Sequence, residues 1–362
     1  MPQAIRERAR VVRGSSPQKA GGMRAVPILG ESHTAPPYAL LTGQNAEKVT
    51  VTEVDESGTV PELTVRNTLD VAVYLMDGQE LIGAKQNRIL NTDVVVDAHT
   101  TLKIPVNCVE AGRWGYNSPQ FSPGKSAAYR TRCRKSAQVH ASLKSDLGHH
   151  SDQSATWNEV AACLSESKVQ SRSSSLSDAY VARRRDMERD RASLKLPEDA
   201  VGLAMFRDEK FLGLDLFDRH TTMAYFWESL LDSYLIESVE RPYDPHQQER
   251  EADGNDDGLS AKVAEVLEKA SAGTWEDFDS PGLGRDHRLE DESFSGSGLV
   301  LDEKVVVHLQ LFPKTDGGEG EREQRAYRPR LHRRYVRQPR PASPEASAEA
   351  PREDTGDAEG DA

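Results

Sequence analysis

The sequence predicts an α+β protein: a strand-rich, mostly antiparallel sheet with several amphipathic helices, a disordered basic head and a charged tail. Three observations predict it. Short β-prone runs crowd residues 38–114. The links between them are a few residues long, whereas parallel crossovers need a dozen or more. Apolar residues at helical spacing enter only after residue 150, and strands return beyond 200.

In chain order, residues 1–25 are rich in Arg, Ser and Gly and read as a disordered head. Tyr38–Thr42, Val49–Val54, Glu62–Asn67 and Val71–Met76 are the first strands, separated by turn material such as Asp55-Glu56-Ser57-Gly58 and Asp77-Gly78. Ile89–Val96 and Leu102–Glu110 follow, joined by Asp97-Ala98-His99. Trp157, Val160, Ala161 and Leu164 mark a helix. Residues 176–194 predict a second, highly charged one, capped by Ser175 or Ser177. Val201–Phe206 and Lys210–Phe217 read as a hairpin. Residues 219–238 carry a broad apolar stripe that includes Trp227 and Tyr234, a core face rather than a cofactor site. A polar loop at 241–258, a short amphipathic helix near 259–270, and strands at Trp275–Phe278, Leu299–Leu301 and Lys304–Phe312 complete a single domain over 26–313. The charged tail, 314–362, holds a basic block (Arg328, Arg330, Arg333, Arg334, Arg337 and Arg340) followed by an acidic end.

Composition bounds the function. The chain of 362 residues has 46 basic and 59 acidic side chains, a net charge of −13, which argues against a general nucleic-acid binder. No run of about 18 apolar residues exists, so no helical membrane span is expected. The first residues, MPQAIRERARVVRG, lack the apolar stretch of a secretory signal. Three cysteines make neither a disulfide framework nor a four-cysteine zinc site, which fits a reducing compartment. Arg outnumbers Lys 32 to 14, the mark of a GC-rich genome, so the expected setting is a bacterial cytoplasm.

The chain has no P-loop, dinucleotide fingerprint, nucleophile elbow or HExxH motif, and its histidines show no ligand spacing. The informative stretch is Asp77–Trp114, where two polar knots flank a strand pair. Lys85, Gln86, Asn87 and Arg88 form the first, with Asn91 beyond. Cys108, Glu110, Arg113 and Trp114 lie in the second. Side chains alternate along a strand, so Leu102, Ile104, Val106, Cys108 and Glu110 share one inward face. A carboxylate at its end is partly desolvated and needs a partner. The functional reading is a pocket for a phosphate-bearing ligand. Lys85, Arg88 and Arg113 would hold phosphates, with Arg gripping by two parallel hydrogen bonds. Gln86, Asn87 and Asn91 would bond sugar or base, Trp114 would stack on a flat ring, and Glu110 would act as a catalytic base or ribose acceptor. The structural reading is a buried ion pair of Glu110 with Arg113 or Arg88 that pins the strand register. Cys108 fits an inert core residue better than a nucleophile. The cluster Arg130, Arg132, Arg134 and Lys135 reads as a solvated face, and no metal site is expected.

GQELIGAKQNRILNTDVVV followed by IPVNCVEAGRW resembles the domain named for its association with ADP-ribosylglycohydrolase and rhodanese-phosphatase proteins. GLAMFRDEKFLGLDLFDRH, FWESLLDSYLIE and VVVHLQLF resemble it too, so the likeness runs over about residues 26–313. It implies a role near NAD or ADP-ribose metabolism, by association alone. The expectation is therefore a domain that binds or processes an ADP-ribose-like or other phosphate-bearing nucleotide. The alternative is a non-catalytic module that docks an ADP-ribosylglycohydrolase-type enzyme. The resemblance supplies no catalytic residues, and the sequence names no cofactor.

Overall fold

The computed structural model describes residues 2–20, 22–55, 58, 60–207, 209–237 and 256–314. The tail expected beyond Lys314 lies outside the described residues, as does most of the polar stretch at 241–258. In chain order the elements are α1 (Gln3–Val11), β1 (Arg13–Gly14), β2 (Gln18–Ala20), β3 (Met23–Leu29), β4 (Tyr38–Leu40), β5 (Val49–Glu53), β6 (Glu62–Asn67), β7 (Ala72–Leu75), β8 (Gln79–Gly83), β9 (Arg88–Leu90), β10 (Val94–Val96), β11 (Thr101–Cys108) and β12 (Phe121–Ser126). Then come α2 (Tyr129–Leu143), α3 (Gln153–Glu166), α4 (Leu176–Arg191), β13 (Ala200–Arg207), β14 (Lys210–Phe217), α5 (His220–Leu235), α6 (Asp256–Ala272), β15 (Trp275–Asp279), β16 (Arg285–Glu290), β17 (Phe294–Leu301) and β18 (Val305–Pro313). The fold is α+β with mostly antiparallel sheets, as the sequence predicts.

One sheet runs β1-β3-β13-β14-β18-β17-β16-β15, with β2 also on β3. A second closes as a barrel, β11-β6-β5-β12-β8-β9. A small third sheet, β10-β7-β4, contains a parallel pair, β4 with β7. Strand alternation gives the large sheet two faces. One carries Val26, Ile28, Ala204, Phe206, Leu214, Leu216, Leu309 and Leu311 and is covered by α1 and α6. The other carries Leu203, Met205 and Phe217 and packs with α5 through Met223, Phe226, Leu230 and Leu231. Burying each such side chain contributes about 1.5–3 kcal/mol. The stripe with Trp227 and Tyr234 is core, as expected.

Three expectations are corrected. The head is ordered. Ile5 is fully buried in the core under α1, and a Cβ on Gly298 would stand 2.8 Å from its Cδ1, so the missing side chain makes the hollow that Ile5 fills. Arg8 ties the same helix down by donating to the carbonyls of Glu31, Phe217 and Asp218 at 2.7, 2.8 and 3.1 Å. Ala4 packs with Ile5, and β1 and β2 pair with β3, contacts that composition does not register. The run Ile89–Val96 is not one strand. It breaks at Asn91-Thr92-Asp93, all buried, and continues in a different sheet as β10. Finally, the Arg130–Lys135 cluster is a solvated face only at Arg130 and Arg134, which are partly exposed: Arg132 and Lys135 on α2 are among the most buried side chains described. Their carboxylate partners come from β7–β8 and β14, far away in sequence.

Candidate functional site

Alternation along three strands builds the site. Val49 and Val51 on β5, Leu90 on β9, and Ile104 and Val106 on β11 turn into the barrel, where they meet Leu63, Val65, Leu81 and Phe121. The same inward stripes end in polar residues: Glu53, Arg88 and Cys108. Strand register sets Arg88 opposite both Leu81 and Cys108. One mouth of an otherwise apolar barrel is therefore polar, and barrel mouths are among the places where small ligands bind.

Arg88 is fully buried. Its Nη1 donates to Gln86 Oε1 at 2.9 Å, and its Nη2 lies 3.9 Å from Glu53 Oε2, an ion pair too long for a hydrogen bond. Arg88 Nε, Arg88 Nη2 and Glu53 Oε2 have no hydrogen-bond partner among the described residues. Gln86 Oε1 also accepts from the Cys108 thiol at 3.1 Å, and Gln86 Nε2 donates to the Glu110 carbonyl at 2.8 Å. Burial pushes the Cys108 thiol up, so it stays protonated, the state of an inert core cysteine. The rim is aromatic. Trp114 and Tyr116 are 44% and 56% exposed, and the Lys85 ammonium lies 5.4 and 5.2 Å from their ring centres. The Arg88 guanidinium lies 5.8 Å from the Trp114 ring.

Beside the mouth, Glu110 and Arg113 form a two-pronged pair at 2.9 and 2.6 Å. Arg113 also donates to the carbonyls of Ala84 (2.6 Å), Gly115 (2.9 Å) and Gly83 (3.3 Å) and to Asn87 Oδ1 (3.1 Å). It thus holds the turn after β8, where Ala84 sits at a φ of 39°, a left-handed conformation that a side chain resists. Burial pushes the Glu110 carboxyl up. Hydrogen bonds from Arg113, the Asn87 amide and Ser173 outweigh it and hold the pKa below the ordinary value. Such a carboxylate is a brace more than a base. Asn87 continues the brace. Its Nδ2 reaches Glu80 (3.4 Å), Ser175 (3.4 Å) and Ser177 (3.2 Å).

The structure thus brings Lys85, Gln86, Arg88 and Trp114 together at the mouth and Asn87, Glu110 and Arg113 beside it. Asn91 belongs elsewhere, with its side chain on Asn107 and the His149 carbonyl, both at 3.0 Å. Sequence reasoning missed Glu53 and Tyr116. The alternation Val49, Val51, Glu53 could have found the first, and no comparable signal marks the second. It also missed Glu80. Burial raises the Glu80 carboxyl to about 7 against the opposing hydrogen bonds of Ser177 and Asn87, and Ser177 Oγ lies 2.7 Å away.

A second polar assembly is sealed between barrel and sheet. Registers place Asp215, Gln310, Ser297 and Arg288 side by side across β14, β18, β17 and β16. Helix α2 lies over this row. Arg132 pairs with Asp215, Lys135 with Asp77, and His140 reaches Glu276, opposite Arg288, at 2.8 Å. Gly78, at a φ of 76°, lets the Arg132 stem pass 3.0 Å from where a Cβ would stand. His308 bridges Asp93 (3.0 Å) and Asp215 (3.2 Å) and stacks on Phe217. Burial lowers the His308 pKa, but the two carboxylates prevail and raise it to about 9. Arg288 pairs with Asp286 at 2.6 Å, so with His308 protonated the four aspartates Asp77, Asp93, Asp215 and Asp286 face four cations, Arg132, Lys135, Arg288 and His308. The segments DVVV, GLDLF and VHLQLF converge here, and each of the four cations makes a close pair with one of the four aspartates, so this is scaffold and not a substrate site.

Among the described residues, no group of three or more His, Cys, Asp or Glu side chains is placed to hold a metal ion, and no helix is long and apolar enough to cross a membrane. The model of a family described as ARG and Rhodanese-Phosphatase-superfamily-associated Protein domain matches residues 11–312. No curated protein and no solved structure matches the chain.

Proposed function

The chain belongs to the ARG and Rhodanese-Phosphatase-superfamily-associated Protein domain family, and from that premise we propose that it binds an ADP-ribose-like or other phosphate-bearing nucleotide at the barrel mouth, in metabolism linked to NAD and ADP-ribose. Arg88 carries the reading: a fully buried guanidinium whose carboxylate neighbour stands beyond hydrogen-bond distance and two of whose nitrogens have no hydrogen-bond partner among the described residues, at the polar end of an apolar barrel. Leaving such donors unsatisfied costs roughly 1–3 kcal/mol each, which a ligand would recover. Trp114 and Tyr116 offer ring faces to a base, and Lys85 between them suits a phosphate at the rim. Gln86 orients Arg88. Glu110, Arg113 and Asn87 hold the turn that carries Lys85, which supports binding rather than turnover at Glu110.

A thermal-shift screen against ADP-ribose, NAD, AMP and ribose 5-phosphate, with and without Mg²⁺, tests this. Ligand at 100 times its Kd adds about 2.7 kcal/mol of stability. We expect a rise in Tm that Trp114→Ala and Lys85→Ala each reduce, both being changes at the rim. No shift with any ligand, or a shift that both variants retain, overturns the proposal. The family name favours the second reading, docking to an ADP-ribosylglycohydrolase-type enzyme. A flat screen together with co-purification of such an enzyme would support it.

A further inference from the structure

The floor of the mouth is not built like a phosphate site. Phosphate-binding arginines usually face an anion with their whole fork. Here a carboxylate, Glu53, stands 3.9 Å from Arg88 Nη2 on the same floor. A phosphate brought to the unpartnered nitrogens of Arg88 would meet that negative charge in a buried place. A ligand that uses both groups needs an acceptor for Arg88 and a donor for Glu53, side by side.

We propose that the floor of the barrel mouth selects the edge of a flat ring on which a carbonyl or ring-nitrogen acceptor lies next to an N–H donor, the acceptor taken by Arg88 and the donor by Glu53. The inference rests on the reading that the mouth is the ligand site, and deepens it by naming the part of the ligand that enters first. Carboxamide, lactam and aminopyrimidine edges all present this pair. An acceptor and a donor two bonds apart meet Arg88 Nη2 and Glu53 Oε2, neither of which has a hydrogen-bond partner among the described residues. The remaining contacts agree. Gln86 fixes the guanidinium at Nη1, leaving Nη2 and Nε with no hydrogen-bond partner among the described residues. Glu53 Oε1 accepts from the Lys85 backbone amide at 3.3 Å, so one carboxylate oxygen is committed and the other remains. Trp114 and Tyr116 stand at the rim with about half their surface exposed, suited to the faces of the same ring. The Lys85 side chain, with four rotatable bonds, lies against both rings. A ring seated against these aromatics would have the ammonium beside its phosphate-bearing substituent.

A site that hydrogen-bonds a donor discriminates strongly against the analogue without it, because a buried group is then left unpaired. The test compares matched probes by calorimetry: nicotinamide mononucleotide against 3-acetylpyridine mononucleotide, and AMP against purine riboside monophosphate. Each pair differs at the donor and keeps the phosphate. We expect the donor-bearing member of at least one pair to bind at least tenfold more tightly, and which pair responds tells a carboxamide from an aminopyrimidine edge. Glu53→Gln keeps the shape and supplies an amide that can donate as well as accept, so the preference in that pair should fall below about threefold. Trp114→Ala should weaken both members alike and leave their ratio unchanged. Binding of all probes with ratios near one in the wild-type protein overturns this inference and leaves the ligand site standing. No binding of any probe at millimolar concentration overturns the site and the inference together. If Glu53→Gln does not fold, the wild-type ratios decide alone.

Discussion

Replacing Arg132 with Met separates the two ways of reading the basic stretch of α2. On a solvated face the change would cost within about 0.5 kcal/mol, as for most surface substitutions. In the structure Arg132 is fully buried, pairs with Asp215, and has its charge-bearing end among Asp215, Gln310 and Asp77. Among the described residues, Asp215 would keep His308 at 3.2 Å and Tyr234 at 3.4 Å. Removing one partner of a buried pair costs about 3–5 kcal/mol, chiefly from the charge left behind. The melting entropy is about 2.1 cal/mol/K per residue. For roughly 300 ordered residues, the expected fall in Tm is therefore about 5–8 °C. Differential scanning calorimetry measures it, and Arg184→Met is the control, since Arg184 pairs with Glu188 on an exposed face. The double variant with Asp215→Asn should cost less than the sum of the singles, by about 0.5–3 kcal/mol of coupling. A fall in Tm under 1 °C, or strict additivity with Asp215→Asn, would refute the assignment of Arg132 to the sealed polar row.

Two further outcomes concern pH. The folded pKa of His308, about 9, stands above the ordinary 6.5, so its stabilisation is fully present below pH 6.5 and is lost as pH rises through 9. The span is worth roughly 3 kcal/mol. Urea titrations from pH 6 to 10 should show the loss, and His308→Gln should flatten it; equal slopes in the two proteins would refute the raised pKa. The carboxyl of Glu80 is raised from 4.5 to about 7, so its folded form prefers the proton, and the associated stability fades as pH climbs from 4.5 through 7. Glu80→Gln should accordingly raise Tm at pH 8 and have little effect at pH 4; a variant less stable than wild type at pH 8 would contradict the burial argument.

Strand periodicity and turn chemistry are local, and so the bounds of β6 and β14, the β13–β14 hairpin, α4 and the stripe of α5 were legible in the chain. The chain also offered Glu110 two arginines, Arg113 and Arg88, and the structure pairs it with Arg113, three residues away. Strand β8 was not legible, because Gln79 and Glu80 interrupt the apolar pattern and their partners, α4 and β12, come from later in the chain. Nor was the role of α2. Its cations look solvated in sequence, since nothing nearby neutralises them.

The sequence alone determined the class of fold, the family and the polar knots around Lys85 and Glu110, because these depend on spacing within a few residues. The tertiary structure decided which charges are buried and which polar groups share a place. It closed β5, β9 and β11 into one barrel, so that Glu53 meets Arg88 from 35 residues away, and it laid α2 across four strands so that Arg132 meets Asp215. Burial and charge pairing are sums over neighbours in space, and a linear chain does not state who those neighbours are until its sheets have closed.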